Sequence, residues 1–298
     1  MASVILVTGP TGHVGYRLLE RLGDAHVPAT AMVRVDFKGD GLPRQVQHIV
    51  GSLDTPPPAD LLSEFDRVFL VSPSSEEQVE LEIYFIDALL TAGHRPHVVK
   101  VAADGFQDPD CQVRFMRNHR QVATHLDGTG LPVTYLAPNL YMESLLPTAG
   151  VIREKGLLPA PAGEGRIGFV ASKDVAAVAA HALTAEGQED VIYSITGPES
   201  LGYGDVADRI SAVFARQVDY DDVPPEQARE AMLADGMREW EAEGTLELFD
   251  WVRGGGCDVV TDAVRHTTDR TPHPIEDWLA ELRGAFVGRP ADVPPPQL

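Results

Sequence analysis

The chain is short of several things. It has only two cysteines, Cys111 and Cys257, in 298 residues. They stand far apart and form no CxxC or Cys/His spacing, so neither a disulfide framework nor a metal site is expected. That usage fits a reducing compartment. No apolar run approaches the ~20 residues needed to cross a bilayer. The first strand pattern begins at Val4, which leaves no room for a signal peptide, and the expectation is a soluble, cytoplasmic protein. Cations are scarce as well: 24 Lys and Arg stand against 45 Asp and Glu, a net charge of −21. Such a surface repels nucleic acid and anionic membranes, and neither is expected as a partner. An anionic small molecule is still acceptable where a few cations and backbone N–H groups converge. The choice between monomer and homo-oligomer is not written in the sequence. Finally, no tyrosine occurs between Tyr84 and Tyr135.

What is present is an alternation of strand and helix patterns. Val4–Val7 is a continuous apolar run, as in a strand buried on both faces. Val14, Leu18 and Leu22 follow at helical spacing. Further strands are expected at 27–33, 46–50, 68–71, 98–102 and 132–136, with helices at 75–92 and 112–127. This is the signature of a doubly wound parallel sheet, a Rossmann-type α/β fold. After Pro138 the pattern loosens. Residues 169–183 read as a strand end and then a helix capped by Ser172 or Asp174, and 191–195 as another strand. Helices are expected at 225–243 and 275–286. The expected organisation is a nucleotide-binding core over 1–140, completed by segments around 166–196. A small, mostly helical substrate lobe takes 141–165 and 197–289, and a disordered Pro-rich tail takes 290–298.

The turn between the first strand and first helix reads Val7-Thr8-Gly9-Pro10-Thr11-Gly12-His13-Val14-Gly15. Gly9 permits a tight turn, Gly12 lets backbone approach a pyrophosphate, and Gly15 lets the helix pack closely on the strand. The N–H groups at the helix start then face the phosphates, helped by the helix dipole. A glycine triplet alone is weak evidence; this one sits between a strand and a helix, where the function requires it. At the end of the second strand stands Arg34, where an NAD site usually carries an acidic residue. Its guanidinium suits a 2′-phosphate, and Lys38 adds charge. NADP(H) is therefore the expected cofactor, with Asp36 the residue that argues the other way.

The segment Thr8–Gly15 resembles the NmrA-like group of atypical short-chain dehydrogenase/reductases. So do Phe69-Leu70-Val71-Ser72-Pro73, His97–Ala103, Leu131–Glu143, Lys173-Asp174-Val175-Ala176 and Thr196-Gly197-Pro198-Glu199. The resemblance runs in order along nearly the whole chain. It implies a Rossmann core with a small C-terminal lobe, an NADP(H) site, and activities that range from quinone, dye and ketone reduction to cofactor sensing without turnover. The departures matter too. The wider superfamily protonates its substrate with Tyr-x-x-x-Lys and a serine. Here the 112–127 helix has no tyrosine, Ala102 replaces a common serine, Ala123 a common acidic residue, and Ala137 a common arginine.

The candidate site follows. Ligands of open α/β sheets bind beyond the carboxyl ends of the strands. That brings in Ser72, Pro73 and Ser74 after the fourth strand, and Pro138 and Asn139 after the sixth. Ser72 either reaches a substrate carbonyl or satisfies loop backbone. Lys100 interrupts an apolar strand; it either approaches the cofactor ribose or forms a structural salt bridge. His119 is the expected general acid, its pKa suited to neutral pH but depressed by the flanking Arg117 and Arg120. The bland reading is a surface histidine. Thr11, His13 and Val14 complete the cofactor loop. Met232, Met237, Trp240, Phe249 and Trp251 offer either an apolar substrate wall or ordinary packing. The leading functional reading is an NADPH-dependent reductase of a carbonyl or quinone group on a small aromatic substrate. The missing proton donors resemble ketoreductases that tailor aromatic polyketides in antibiotic biosynthesis. A non-catalytic redox sensor and an NADP-assisted isomerase are the alternatives.

Overall fold

The computed structural model describes residues 4–35, 41–43 and 46–287. Lys38 and Asp36, and the tail 290–298, lie outside the described residues.

The chain divides into two compact units. The first comprises 1–139, 172–196 and 261–271. Its strands are β1 (Ile5–Val7), β2 (Ala29–Val33), β3 (Gln47–Val50), β4 (Arg67–Leu70), β5 (His97–Val101), β6 (Val133–Pro138) and β9 (Val191–Ile195). They form one sheet in the order β3-β2-β1-β4-β5-β6-β9, and every pairing is parallel. The central strands β1 and β5 are buried along their whole length, which explains why both lack polar alternation. The helices are α1 (His13–Asp24), α2 (Ala59–Leu62), α3 (Gln78–Thr91), α4 (Arg114–Gly128), α6 (Ser172–Thr184) and α10 (Ala263–Thr268). α1 packs on α6, α6 on α10, and α3 on α4. The first of these is driven by an apolar stripe of Val14, Leu18, Leu19 and Leu22 at helical spacing.

Strand order reverses between β1 and β4: β2 and β3 lie to one side of β1, the later strands to the other. The carboxyl ends of β1 and β4 therefore flank the topological switch point, where such sheets leave a crevice.

The second unit comprises 140–171, 197–260 and 272–298. A 3₁₀ turn over Met142–Thr148 leads into α5 (Ala149–Lys155). Two small sheets follow. β7 (Leu157–Ala160) pairs in parallel with β11 (Asp219–Asp222), and β8 (Arg166–Ile167) pairs antiparallel with β10 (Leu201–Gly202). The remaining helices are α7 (Tyr203–Phe214), α8 (Pro225–Ala234), α9 (Glu239–Arg253), α11 (Ile275–Glu281) and α12 (Arg283–Val287). Phe169, Tyr203 and Phe286 are among its buried aromatics. Phe249 packs against Tyr203 with ring centroids 5.9 Å apart, and Trp251 packs against the same core.

Four expectations need correction. Residues 166–171 belong to the second unit, because β8 pairs with β10 there. Residues 261–271 belong to the first: Thr261 bonds to Ser194 and Thr196 beside β9, and α10 packs on α6. The helix expected at 225–243 is two helices, broken at Gly236 with φ +89°. The one expected at 275–286 breaks at Leu282.

Candidate functional site

The β1–α1 turn has the geometry its glycines suggest. Gly9 takes φ +57°, a conformation glycine adopts without strain. A Cβ on Gly9 would lie 2.7 Å from the Val71 side chain. A Cβ on Gly15 would lie 2.2 Å from the Gly9 carbonyl oxygen, closer than real atoms approach. The two glycines thus let the turn and the first turn of α1 close on each other. Thr8 fastens the turn to the neighbouring strand end. Its Oγ1 donates to the Val71 carbonyl and accepts from the Val71 N–H, both at 2.9 Å. Gly9, Thr11, Gly12 and His13 remain exposed, while the Val14 side chain is buried in the core. Gly12 caps α1 with no side-chain hydrogen bond, so the first N–H groups of the helix are uncapped. This is a cradle for a phosphate group. Arg34 stands exposed just past β2. Its charge reaches Asp54, whose carboxyl is held below the usual range chiefly by a hydrogen bond from Ser52.

A second constellation lies behind the β4 end. Glu82 on α3 is fully buried, and Lys100 on β5 is 1% exposed. Lys100 Nζ meets Glu82 Oε2 at 2.9 Å. Its other close acceptors are the Val101 carbonyl and His119 Nδ1, the latter at 3.3 Å. An ammonium has three hydrogens, and three acceptors surround this one. Glu82 Oε1 accepts from Ser72 Oγ at 2.5 Å and from Gln78 Nε2 at 3.3 Å. Gln78 Nε2 also approaches His119 Nδ1, at 3.5 Å.

Two expectations change here. Lys100 is buried and forms a salt bridge with Glu82, the alternative role that its place in an apolar strand left open. His119 is no surface histidine. It is 8% exposed, and burial first, then the Lys100 ammonium, hold its pKa well below the usual imidazole range. Arg117 and Arg120 are not the cause: Arg120 is spent on the carbonyls of Phe106, Asp108 and Cys111. His119 is therefore neutral at pH 7. Both groups near its Nδ1 are donors, so Nδ1 accepts and the proton sits on Nε2. A neutral imidazole can offer that N–H as a hydrogen bond, but it is a poor store of a proton to give away.

A third group sits past the ends of β5 and β6. Asp104 accepts from Ser194 Oγ at 2.9 Å and from Asn139 Nδ2 at 3.3 Å. Burial raises the Asp104 carboxyl against the lowering effect of the Ser194 hydrogen bond. Asn139 is itself buried, its N–H given to the Ile195 carbonyl, and Pro138 accepts from the Asp104 N–H. Pro73 and Ser74 are exposed beside Ser72. The sequence reading thus named Ser72, Lys100, His119 and Asn139. It missed the residues that bind them together: Gln78, Glu82, Asp104 and Ser194. Gln78 and Glu82 carried a signal. They fall four apart on the same helical face as Phe85, Ile86 and Leu89, a face that is buried.

Among the described residues no cluster of His, Cys, Asp and Glu fits a metal ion, and no helix is long and apolar enough to cross a membrane.

A family model described as NmrA-like matches residues 1–268. An NAD(P)H azoreductase of Xenophilus azovorans is 34% identical, the alignment covering 95% of this chain and 99% of the relative. A (4-alkanoyl-5-oxo-2,5-dihydrofuran-3-yl)methyl phosphate reductase of Streptomyces griseus subsp. griseus is 31% identical over the same shares. The fold is also that of an NADPH-dependent quinone oxidoreductase of Escherichia coli solved with NADPH. There the TM-score is 0.84 at 21% identity, over 94% of this chain and 99% of the other.

Proposed function

Because the chain belongs to the NmrA-like family, we propose that it is an NADPH-dependent reductase of small conjugated electrophiles such as azo compounds, quinones and enones. The observation that carries this reading is the β1–α1 turn: Gly9 at φ +57°, Gly15 with no room for a Cβ, and an uncapped helix start at the switch point of the sheet. The residues fit a dinucleotide. The turn would hold its pyrophosphate through backbone N–H groups, and Arg34 its 2′-phosphate. When bound, the nicotinamide supplies a hydride equivalent.

The rest of the reading follows from what the chain's own groups can do. Ala102 and the tyrosine-free α4 offer no hydroxyl acid. Lys100 is buried in its ion pair with Glu82, and His119 is neutral. The protein can orient a substrate and exclude water, but it holds no strong acid among these groups. Such a site suits acceptors whose negative charge spreads over a conjugated system, because these need little help from an acid. Both curated relatives carry reductase names, one for azo compounds and one for an unsaturated oxo-dihydrofuran phosphate. An aromatic polyketide ketone is the narrower case within this class.

The test is to mix protein with NADPH or NADH and a panel of azo dyes, naphthoquinones, unsaturated lactones and aryl ketones, following cofactor oxidation and product mass. The expected result is a product two hydrogens heavier, formed faster with NADPH than with NADH. Saturating NADPH binding with no turnover across the panel would instead favour a sensor, or a substrate more specialised than the panel.

A further inference from the structure

The buried group behind β4 has a direction. Its contacts converge on Glu82: Lys100 forms an ion pair with Oε2, and Gln78 and Ser72 donate to Oε1. Glu82 is paired with an ammonium at Oε2 and accepts from Ser72 and Gln78 at Oε1. Of this set, Gln78, Glu82, Lys100 and His119 are buried and Ser72 is half-exposed. Ser72 follows β4 beside the switch point, two residues from Phe69–Leu70, with Val71 between tied to Thr8 in the glycine turn. It is the member that meets whatever binds there.

We propose that Glu82 is a positioning residue that turns Ser72 into an obligate hydrogen-bond acceptor. By holding the Ser72 hydroxyl hydrogen it leaves only the oxygen lone pairs for a ligand. Ser72 therefore anchors a donor on the bound nucleotide, a ribose hydroxyl or a carboxamide N–H, and does not protonate the substrate. A free serine could serve either way, since its hydroxyl rotates to suit its partner; this one cannot while its hydrogen is held by Glu82 Oε1. Lys100 supports the arrangement at one remove by keeping an acceptor oxygen on its own side of Glu82. This inference rests on the NADPH reading above.

The variant Glu82→Gln tests it sharply. Lys100 still demands an acceptor, so the amide oxygen of a glutamine turns towards Nζ and its NH₂ turns towards Ser72. The hydrogen bond reverses, and Ser72 then presents its hydrogen to a ligand group that is also a donor. The measurement is calorimetric titration of NADPH into wild type, Ser72→Ala, Glu82→Gln and the double variant, together with kcat and the KM for NADPH at a saturating level of the best panel substrate. One hydrogen bond of this kind is worth up to about tenfold in affinity. The expected result is that each single change weakens NADPH binding by up to about tenfold, and more in KM for NADPH than in kcat. The Glu82 change then costs nothing further once Ser72 is alanine. If Glu82→Gln does not fold, the neutral pair Glu82→Leu with Lys100→Met, which frees the Ser72 hydrogen and leaves no buried charge, is compared with and without Ser72→Ala by the same criterion.

An equal loss from the Glu82 change in the Ser72→Ala background would make Glu82 a scaffold residue and sink the inference, while leaving the NADPH reading intact. So would Ser72→Ala lowering kcat with NADPH affinity unchanged, which would make Ser72 the proton donor. Wild type that binds no NADPH would remove both.

Discussion

Lys100 and Glu82 are each buried almost completely, and each is the other's principal charge partner. Removing one leaves the other as an uncompensated charge, which costs about 3–5 kcal/mol. Lys100→Met is therefore expected to lower the urea-unfolding free energy by that amount, and adding Glu82→Gln to recover most of it. His119 gives a pH signature. Its folded pKa lies well below the 6.5 of a free imidazole. The unfolded chain then binds the proton more readily, so this group's contribution is present above about pH 6.5 and is lost as pH falls below it. The slope approaches about 1.4 kcal/mol per pH unit. Stability measured from pH 7.5 to 5 should fall more steeply in wild type than in His119→Phe. Parallel curves would mean that His119 is not held neutral. At this scale the sequence was half legible. A lysine inside an apolar strand announces that something must pair with it. Glu82 does not announce itself, because Glu76, Glu77 and Glu80 surround it and read as a solvated face. Only the match of its helical phase to Phe85, Ile86 and Leu89 sets it apart.

Among the elements, the β1–α1 unit was the most legible, because each glycine answers a separate steric demand. Gly15→Ala would set a methyl group against the Gly9 carbonyl. The helix must then move off the turn, at a cost of about 1–3 kcal/mol in stability. The expected readouts are a lower thermal midpoint and loss of NADPH binding, while the far-ultraviolet signal stays native. The long helices were less legible. Residues 225–243 keep good helix formers on both sides of Gly236, and one glycine inside a helical pattern is commonly tolerated. What breaks the helix is the positive φ at Gly236, with the Arg238 N–H donating to the Glu241 carboxylate at the start of the next helix. Nothing local distinguishes that outcome from a continuous helix.

At the scale of the whole molecule, the doubly wound sheet could be read because its central strands β1, β4, β5 and β6 repeat one buried apolar pattern. The return of residues 261–271 could not, because it depends on hydrogen bonds from Thr261 to Ser194 and Thr196, made across more than sixty residues. The net charge of −21 also acts at this scale. It repels an anionic nucleotide at long range, and salt screens that repulsion within a Debye length of about 8–10 Å. The NADPH association rate is therefore expected to rise between 10 and about 150 mM salt in stopped-flow fluorescence. A falling rate would mean that local cations govern the approach.

The chain passes between its two units five times, the last after Thr271. On the ribosome, synthesis delivers the glycine turn before α10. β9 cannot gain its Thr261 bonds until some sixty-five residues of the other unit have been made. Neither unit is thus a stretch of gene that could be cut out whole. While residues 197–260 are made, the nascent chain holds β9 without its Thr261 bonds, so the sheet edge at β9 stays open longest.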